Sequence, residues 1–298
     1  MKASVLLAGL GALALLGSGA SNDASAAGVA KVYKGKSVDV IVGYNPGGGY
    51  DAYTRLLARH IGNHIPGKPR TIVKNMGGAG SLKAANYLYN VATKNGRIFG
   101  MFAGGVAMDA LIGGRKTRFD PLKFNWLGSM TESSSACYAW HTTGFKTLKD
   151  VMKKGGKRMI LGASSGGSST AAWPKTMNAF IGTNFKVITG YKGSKGIILA
   201  MERGEVQGLC GYFISSIRNV RPTWLKEGKV VMLVQEAKKR HADFPNIPTV
   251  FEYAKNKATK QALNLVFGWQ VMGRPFTLPP GVAPDRVAAM RKAFWDTM

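Results

Sequence analysis

Short β-branched runs alternate with amphipathic stretches from residue 37 onward, and this alternation limits the possible folds more than any other feature of the chain. The runs predict strands at 38–43, 71–74, 98–102, 159–162, 185–189, 206–209 and 230–234. The stretches between them predict helices at 52–63, 82–91, 170–181, 197–203 and 214–226. Such alternation is typical of α/β proteins built on largely parallel sheets.

Two irregular segments interrupt the alternation, one at 113–145 and one at 238–250, "KKRHADFPNIPTV". Two breaks of this kind indicate two α/β lobes joined by two crossings of the chain, with the second lobe inserted into the first. We therefore expect a first lobe made of 28–140 and 236–298 and a second lobe made of 141–235. A cleft between the lobes would then be the expected ligand site.

The two ends of the chain each show a distinctive pattern, a secretion signal at the start and an uncapped helix at the end. The sequence predicts a signal peptide over 1–27, cleaved near Ala26. It has a positive charge at Lys2, an apolar core at 5–16 that is too short to span a bilayer, and the small residues Ala24-Ser25-Ala26. At the other end, "PDRVAAMRKAFWDTM" predicts a helix with Asp285 in its first turn and no C-cap before Met298. We expect an exported protein whose C-terminus is truncated.

The charge balance is strongly basic, with 41 Lys and Arg against 15 Asp and Glu and a net charge of +26. This charge favours anionic partners of any kind. The basic residues are scattered, and the sequence has no zinc-finger spacing, RNP-type motif or basic zipper, so no nucleic-acid partner is predicted. A generally basic, solvated surface is the simpler interpretation, and a polyanion-binding surface protein stays open as an alternative.

The potential metal and thiol residues do not form a recognisable site. Cys137 and Cys210 are compatible with one disulfide in an oxidising compartment, but the sequence leaves their pairing open. His60 and His64 have i, i+4 spacing without a carboxylate to complete a metal site. We predict no metal and no cofactor.

Three glycine-rich turns share one design: "NPGGGYD" at 45–51, "NMGGAGS" at 75–81 and "GASSGGSS" at 162–169. Each follows a predicted strand and precedes a predicted helix. Glycine allows close approach of the backbone, and the free N–H groups at a helix start attract anions. Asp51 and Ser81 are expected to cap the first two helices. Three such turns facing one cleft would bind a carboxylate or a phosphate without any Lys or Arg.

Two nucleotide-binding motifs are incomplete near these turns, and one hydrolase motif competes with the anion-binding interpretation. "GKS" at 35–37 lacks the first glycine of a P-loop, and the first turn lacks G-x-G-x-x-G spacing. Residues 162–166 do match G-x-S-x-G, so a secreted α/β serine hydrolase using Ser164 and His241 is the alternative function. Tyr44, Tyr50 and Tyr191 lie beside the turns and are expected to wall the cleft.

The turns and two further segments resemble the Bug or TctC family, the periplasmic receptors of tripartite tricarboxylate transporters. Its P-G-G-x-x-D turn is matched at 46–51 and followed by Arg55, and its V-x-N-x-x-G-A-G turn is matched at 73–80. The segments S-x-G-x-S-S, Y-K-G-S and P-x-x-P-T are matched at 164–169, 191–194 and 245–249. The resemblance extends from about residue 33 to the end of the chain.

The resemblance implies a two-lobed periplasmic-binding-protein fold of the Venus-flytrap, type II-like kind. In that family the lobes close on a small organic anion, a di- or tricarboxylate or an aromatic acid, and deliver it to the membrane permease subunits of the transporter. It implies a monomeric periplasmic receptor that is not an enzyme and has no cofactor. The motif positions and the helix-start argument together predict the ligand-binding residues Tyr44, Gly48, Gly49, Tyr50, Asp51, Gly78, Ala79, Gly80, Ser164, Ser165, Gly167, Ser168, Tyr191 and Gly211.

The sequence departs from the family pattern at positions that contact the ligand. The family commonly has His-Leu where this chain has Thr170-Ala171, so one side-chain contact is expected to be lost. Around Gly211, some members place an Asp that meets an amino group. These departures argue against an amino-acid ligand and leave the identity of the acid open.

Overall fold

A computed structural model describes residues 28–112, 116–132, 134–152 and 155–298. The predicted signal peptide at 1–27 lies outside the described residues. Within them, no helix is both long enough and apolar enough to cross a membrane. The fold consists of two five-stranded mixed sheets with helices packed against them.

The first sheet has the strand order β2-β1-β3-β10-β4. Its strands are β1 Ser37–Val42, β2 Arg70–Asn75, β3 Ile98–Met101, β4 Asn125–Ser129 and β10 Pro275–Leu278. The strands β1, β2 and β3 are parallel, whereas β10 runs antiparallel to both β3 and β4. The glycine turns that follow β1 and β2 therefore leave the same edge of this sheet.

The second sheet has the order β7-β6-β8-β5-β9. Its strands are β5 Ser135–Trp140, β6 Met159–Ala163, β7 Phe185–Thr189, β8 Gly208–Phe213 and β9 Val230–Gln235. The strands β6, β7 and β8 are parallel, and β5 is antiparallel to its two neighbours. In each sheet four of the five strands therefore point the same way, and the fifth, β10 in the first sheet and β5 in the second, is an antiparallel strand that the alternation pattern did not indicate.

Besides the helical residues 28–33 at the start of the described range, nine α-helices of the described residues connect and cover these strands. They are α1 Gly49–Ile61, α2 Leu82–Asn90, α3 Gly104–Ile112, α4 Leu148–Met152, α5 Ser169–Ile181, α6 Ser194–Glu202, α7 Ile214–Val220, α8 Lys257–Phe267 and α9 Pro284–Thr297. The amphipathic spacing of α1 buries Thr54, Leu57 and Ile61 against the first sheet. In α5, Trp173 and Met177 face the core of the second sheet.

The division of the chain between the sheets differs from the predicted boundaries at 140 and 236. Strand β5 pairs with β8 and β9, so residues 135–140 lie in the second sheet and not in the first. Helix α8 places Leu263 and Phe267 in the second core, beside Trp173. We propose instead that the chain crosses between the lobes after β4 ends at Ser129, and again between α8 and β10.

A disulfide joins Cys137 of β5 to Cys210 of β8, the pairing that the sequence left open. Both cysteines are fully buried in the core of the second sheet. The bond links neighbouring antiparallel strands across 73 residues of sequence. It also fixes the residue immediately before Gly211, one of the predicted site residues.

Candidate functional site

Three adjacent cavities lie between the two sheets and share lining residues. Their volumes are about 40, 210 and 280 Å³, and Tyr44 lines all three. We call them the small, the apolar and the outer cavity, in that order. Each cavity is lined by residues from both lobes. The cavities therefore lie in the cleft where the two-lobed interpretation places a ligand.

Three helix starts meet at the small cavity. Its walls include Gly48 and Gly49 at the start of α1, Ser168 and Ser169 at the start of α5, and Gly193 and Ser194 at the start of α6. None of the three N-cap residues makes a side-chain capping hydrogen bond to its own helix. No N-cap side chain therefore accepts from the first N–H groups of these helices, and the three helix dipoles favour negative charge there.

The second glycine turn lines the outer cavity, together with Tyr191 and Ser164. Its backbone is strained, because Ala79 and Ser81 have φ values of 49° and 81°. Gly78 and Gly80 also have positive φ, 142° and 61°. Such conformations persist only where the surrounding structure enforces them and are common at ligand sites.

Most of the predicted site residues line these cavities, although their contact with a ligand stays a prediction. The residues placed in the walls are Tyr44, Gly48, Gly49, Tyr50, Gly78, Ala79, Gly80, Ser164, Gly167, Ser168, Tyr191 and Gly211. Asp51 and Ser165 are not among the residues that line the three cavities. Asp51 lies behind the first turn, and Ser165 lies where the two sides of the cleft touch.

Asp51 shapes the first turn instead of capping its helix, which corrects the sequence-based expectation. The N-cap is Gly48, and Asp51 is the third residue of α1, almost fully buried. Its carboxylate accepts hydrogen bonds from the N–H of Gly47 at 2.9 Å, Arg55 Nε at 3.0 Å and Asn75 Nδ2 at 2.8 Å. Burial alone would raise the pKa of Asp51, but the hydrogen bonds outweigh it and hold the pKa below the ordinary value.

Ser81 also departs from the predicted capping role. It does stand at the N-cap of α2, but its side chain makes no hydrogen bond to that helix. Its Oγ instead accepts a hydrogen bond of 2.9 Å from the N–H of Ala103. The buried hydroxyl therefore ties the second turn to the segment between β3 and α3.

Gly80 and Ser165 mark where the two sides of the cleft touch. A Cβ atom built at Gly80 would lie 2.8 Å from Ser165 Oγ and 3.3 Å from the backbone of Ser168. The Ser165 hydroxyl is buried and has no hydrogen-bond partner among the described residues. Only a glycine allows so close an approach, so the cleft is closed at this point.

Several wall residues were not predicted from the sequence. Lys192 and Lys195 line the small cavity, and the Lys195 side chain passes within contact distance of Gly47. The hydrophobic wall of the apolar cavity consists of Ala103, Val106, Met108, Ala172, Trp173, Leu265, Val266 and Trp269, and its polar lining includes Asp109 and Thr176. The Y-K-G-S segment pointed to Lys192, whereas α3 and α8, which supply much of the apolar wall, had no sequence signal that placed them at the cleft.

The structure does not support the hydrolase alternative. Ser164 lines the cleft, and its N–H donates to Thr170 Oγ1 at 3.1 Å. His241 lies after β9, where its Nδ1 accepts a hydrogen bond from the N–H of Asp243 at 3.2 Å and its ring packs against Phe244. No contact within the described part of the chain joins His241 to Ser164. The G-x-S-x-G match is a tight strand-to-helix turn.

A buried carboxyl group lies directly behind the cavity wall at Gly211. Glu236 is fully buried, and its Oε2 accepts a 2.7 Å hydrogen bond from the N–H of Gly211. Burial raises the pKa of Glu236 to about 8, and the hydrogen bond from Gly211 only partly opposes this. Its second oxygen has no hydrogen-bond partner among the described residues.

We expect Glu236→Gln to stabilise the protein at pH 8. The raised pKa means that the folded state binds more protons than the unfolded state between about pH 4.5 and about pH 8, so the free energy of unfolding falls as pH rises through that window. Glutamine keeps an oxygen for the N–H of Gly211 and carries no charge to desolvate. The expected gain at pH 8 is on the order of 1–3 kcal/mol, disappearing near pH 4.5.

Urea denaturation at pH 5 and pH 8 measures this difference. The control is Glu227→Gln, which removes an exposed carboxylate and should leave the pH dependence unchanged. Equal pH dependence in wild type and Glu236→Gln would show that Glu236 is not held neutral in the fold.

Comparison with known proteins agrees with this fold. No family model matches the chain. The Cupriavidus necator protein described as "UPF0065 protein in gbd 5'region" is 25% identical over 272 residues, covering 88% of this chain and 75% of that protein. The solved structure of the periplasmic binding protein BugD has 18% identity and a TM-score of 0.69, covering 88% of this chain and 82% of BugD.

MatC from Rhodopseudomonas palustris, solved with bound malate, has 21% identity and a TM-score of 0.69, covering 89% of this chain and 85% of MatC. At this identity the structural likeness establishes the fold, which is the two-lobed fold of periplasmic binding proteins. The resemblance to Bug-type proteins that the glycine turns indicated is confirmed.

Proposed function

We propose that this chain is a periplasmic receptor that captures a small organic anion by closing its two lobes and delivers it to a membrane permease of the tripartite tricarboxylate type. The observation that carries the proposal is the meeting of three helix starts, those of α1, α5 and α6, at one small cavity between the lobes. The likeness to MatC and BugD supports it, since MatC was solved with malate. The proposal contains no catalytic step, and it places the mature protein in the periplasm.

Binding would be cooperative between the lobes. The first lobe presents the N–H groups around Gly48 and Gly49, and the second presents those around Ser168 and Ser194. A carboxylate held by both sets stabilises the closed arrangement more than the open one, so ligand shifts the population toward closure. The protein is proposed to act as a monomer.

The cavities also indicate the kind of acid. The polar small cavity suits one carboxylate, and the adjoining apolar cavity of about 210 Å³ suits a short carbon body against Trp173 and Trp269. We propose a small acid whose carboxylate lies at the helix starts and whose apolar part faces the tryptophans.

A thermal-shift screen of the mature protein against malate, adipate, citrate, benzoate, glutamate and inorganic phosphate tests the proposal. We expect a saturable rise in melting temperature with at least one carboxylate, because a ligand at 100 times its Kd adds roughly 2.7 kcal/mol of stability. The rise should persist between about 0.1 M and about 1 M salt, since fixed dipoles in a closed cleft are poorly screened.

The opposite pattern would contradict the receptor. If no carboxylate shifts the midpoint, while DNA or anionic vesicles bind with an affinity that falls steeply with salt, the polyanion alternative holds instead. The net charge of +26 is the observation that keeps this alternative in the test.

A further inference from the structure

Arg274 is a buried cation without a matching anion. It immediately precedes β10, near the second crossing between the lobes, and its side chain is fully buried. Its Nη2 donates a hydrogen bond of 2.6 Å to Ser216 Oγ. Among the described residues, its Nε and Nη1 have no hydrogen-bond partner and no acidic side chain forms an ion pair with it. Burial of an uncompensated charge is strongly unfavourable for stability.

Three aromatic rings surround the guanidinium. Its central carbon lies 4.6 Å from the ring centre of Tyr50, 4.4 Å from that of Tyr53 and 4.8 Å from that of Phe213. Tyr50 and Tyr53 belong to α1 of the first lobe, whereas Phe213 and Ser216 belong to β8 and α7 of the second. Cation–π contacts stabilise the buried charge, but by less than solvation by water or pairing with a carboxylate would. The fold therefore keeps a positive charge where stability alone would favour an apolar side chain.

This charge lies directly behind the wall of the small cavity. Tyr50, Phe213 and Ser216 line that cavity, and a Cβ atom built at Gly49 would lie 3.1 Å from Arg274 Nη2. Because Nη2 donates to Ser216 Oγ, the hydroxyl hydrogen of Ser216 points away from the guanidinium and is available to another acceptor. An anion at the start of α1 offers one, and the hydrogen bond it receives is strengthened by the guanidinium behind it.

We propose that Arg274 is the positioning residue that makes the cleft select an anion over a neutral molecule of the same shape, acting through Ser216. The proposal rests on the proposed function, since it needs a ligand in the small cavity. Arg274 does not line the cavity itself. It orients the Ser216 hydroxyl and adds a buried positive charge to those of Lys192 and Lys195, which line the small cavity.

The test compares Arg274→Met with wild type, using malate, adipate and adipamide as calorimetric probes. Adipamide has the shape of adipate without its charge. We expect Arg274→Met to weaken binding of the carboxylate probes by about 10- to 100-fold and to change adipamide binding by less than about 3-fold. Ser216→Ala, which keeps the guanidinium, should weaken carboxylate binding by a smaller factor and in the same selective way.

The melting temperature of the unliganded protein provides a second readout. Methionine fills the aromatic cage without a charge, so Arg274→Met should raise it by about 2–4 °C, whereas loss of a purely structural arginine would lower it. Arg286→Met, which alters an arginine in α9 with no contact to the three cavities, is the matched control and should leave binding unchanged.

Each outcome has a definite meaning. Unchanged preference for adipate over adipamide in a folded Arg274→Met protein overturns this proposal and leaves the receptor function standing. A lower melting temperature together with equal losses for charged and neutral probes would assign Arg274 a structural role only, which also overturns it. If no probe binds wild type, the proposed function fails for these acids and this proposal fails with it.

Discussion

Replacing Gly80 with asparagine is expected to prevent closure and to lower ligand affinity by about 10- to 100-fold, while the protein stays folded. Asparagine tolerates the φ of 61° at this position better than other side chains do. Its Cβ would lie 2.8 Å from Ser165 Oγ and 3.3 Å from the backbone of Ser168, on the opposite side of the cleft. Overpacking of this kind costs about 1–3 kcal/mol, and it applies only to the closed state. Calorimetric titration with the strongest ligand of the screen measures the loss.

Gly182→Asn is the matched control for this substitution. Gly182 also has a positive φ, 76°, at the end of α5, but a Cβ there would meet nothing within 4 Å. Both variants should unfold at similar urea concentrations, and only Gly80→Asn should lose affinity. Wild-type affinity in Gly80→Asn would show that the lobes do not approach at Gly80 in the liganded protein.

Removing the disulfide is expected to have the largest effect on stability. The bond between Cys137 and Cys210 closes a loop with a sequence separation of 73 inside the core of the second sheet. Loss of such a crosslink typically costs about 2–5 kcal/mol of the free energy of unfolding. The double variant Cys137→Ala/Cys210→Ala should therefore unfold at a clearly lower urea concentration than the oxidised wild type.

The chain contains no other cysteine, so reductant provides the control. Reduced wild type should unfold close to the double variant, and the double variant itself should not respond to reductant. Equal stability of oxidised and reduced wild type would contradict a stabilising disulfide between β5 and β8. Ligand binding in the surviving folded fraction should weaken as well, because Cys210 precedes the cavity residue Gly211.

The parallel strands and the helices that follow them were predictable because their signals are local. The predicted strands at 38–43 and 185–189 and the predicted helix at 82–91 agree with β1, β7 and α2 to within one residue at each end. Strands β4, β5 and β10 were missed because "NWLGS", "SACYAW" and "PFTL" contain few β-branched residues and interrupt the alternation. Since β5 was missed, the predicted lobe boundary at 140 falls at the end of a strand of the second sheet.

The candidate site was likewise predictable only in part, where its sequence signals are local. Glycine turns between a strand and a helix are visible in the sequence, and the structure places all three of them at the cleft. Arg274, Ser216 and Glu236 had no such signal. Arg274 meets Ser216 across 58 residues of sequence, and Glu236 meets Gly211 across 25. Buried charged groups run against the usual preference of Arg and Glu for the surface, so only tertiary structure could reveal them.

The most direct test of the receptor account is calorimetric titration of wild type and Gly80→Asn with the carboxylate that gives the largest thermal shift, at low and at high salt. The account predicts saturable 1:1 binding to wild type, nearly the same affinity at about 0.1 M and about 1 M salt, and a large loss in Gly80→Asn. Absence of binding to any carboxylate, or equal affinity in the two proteins, would contradict a closing, anion-selective cleft.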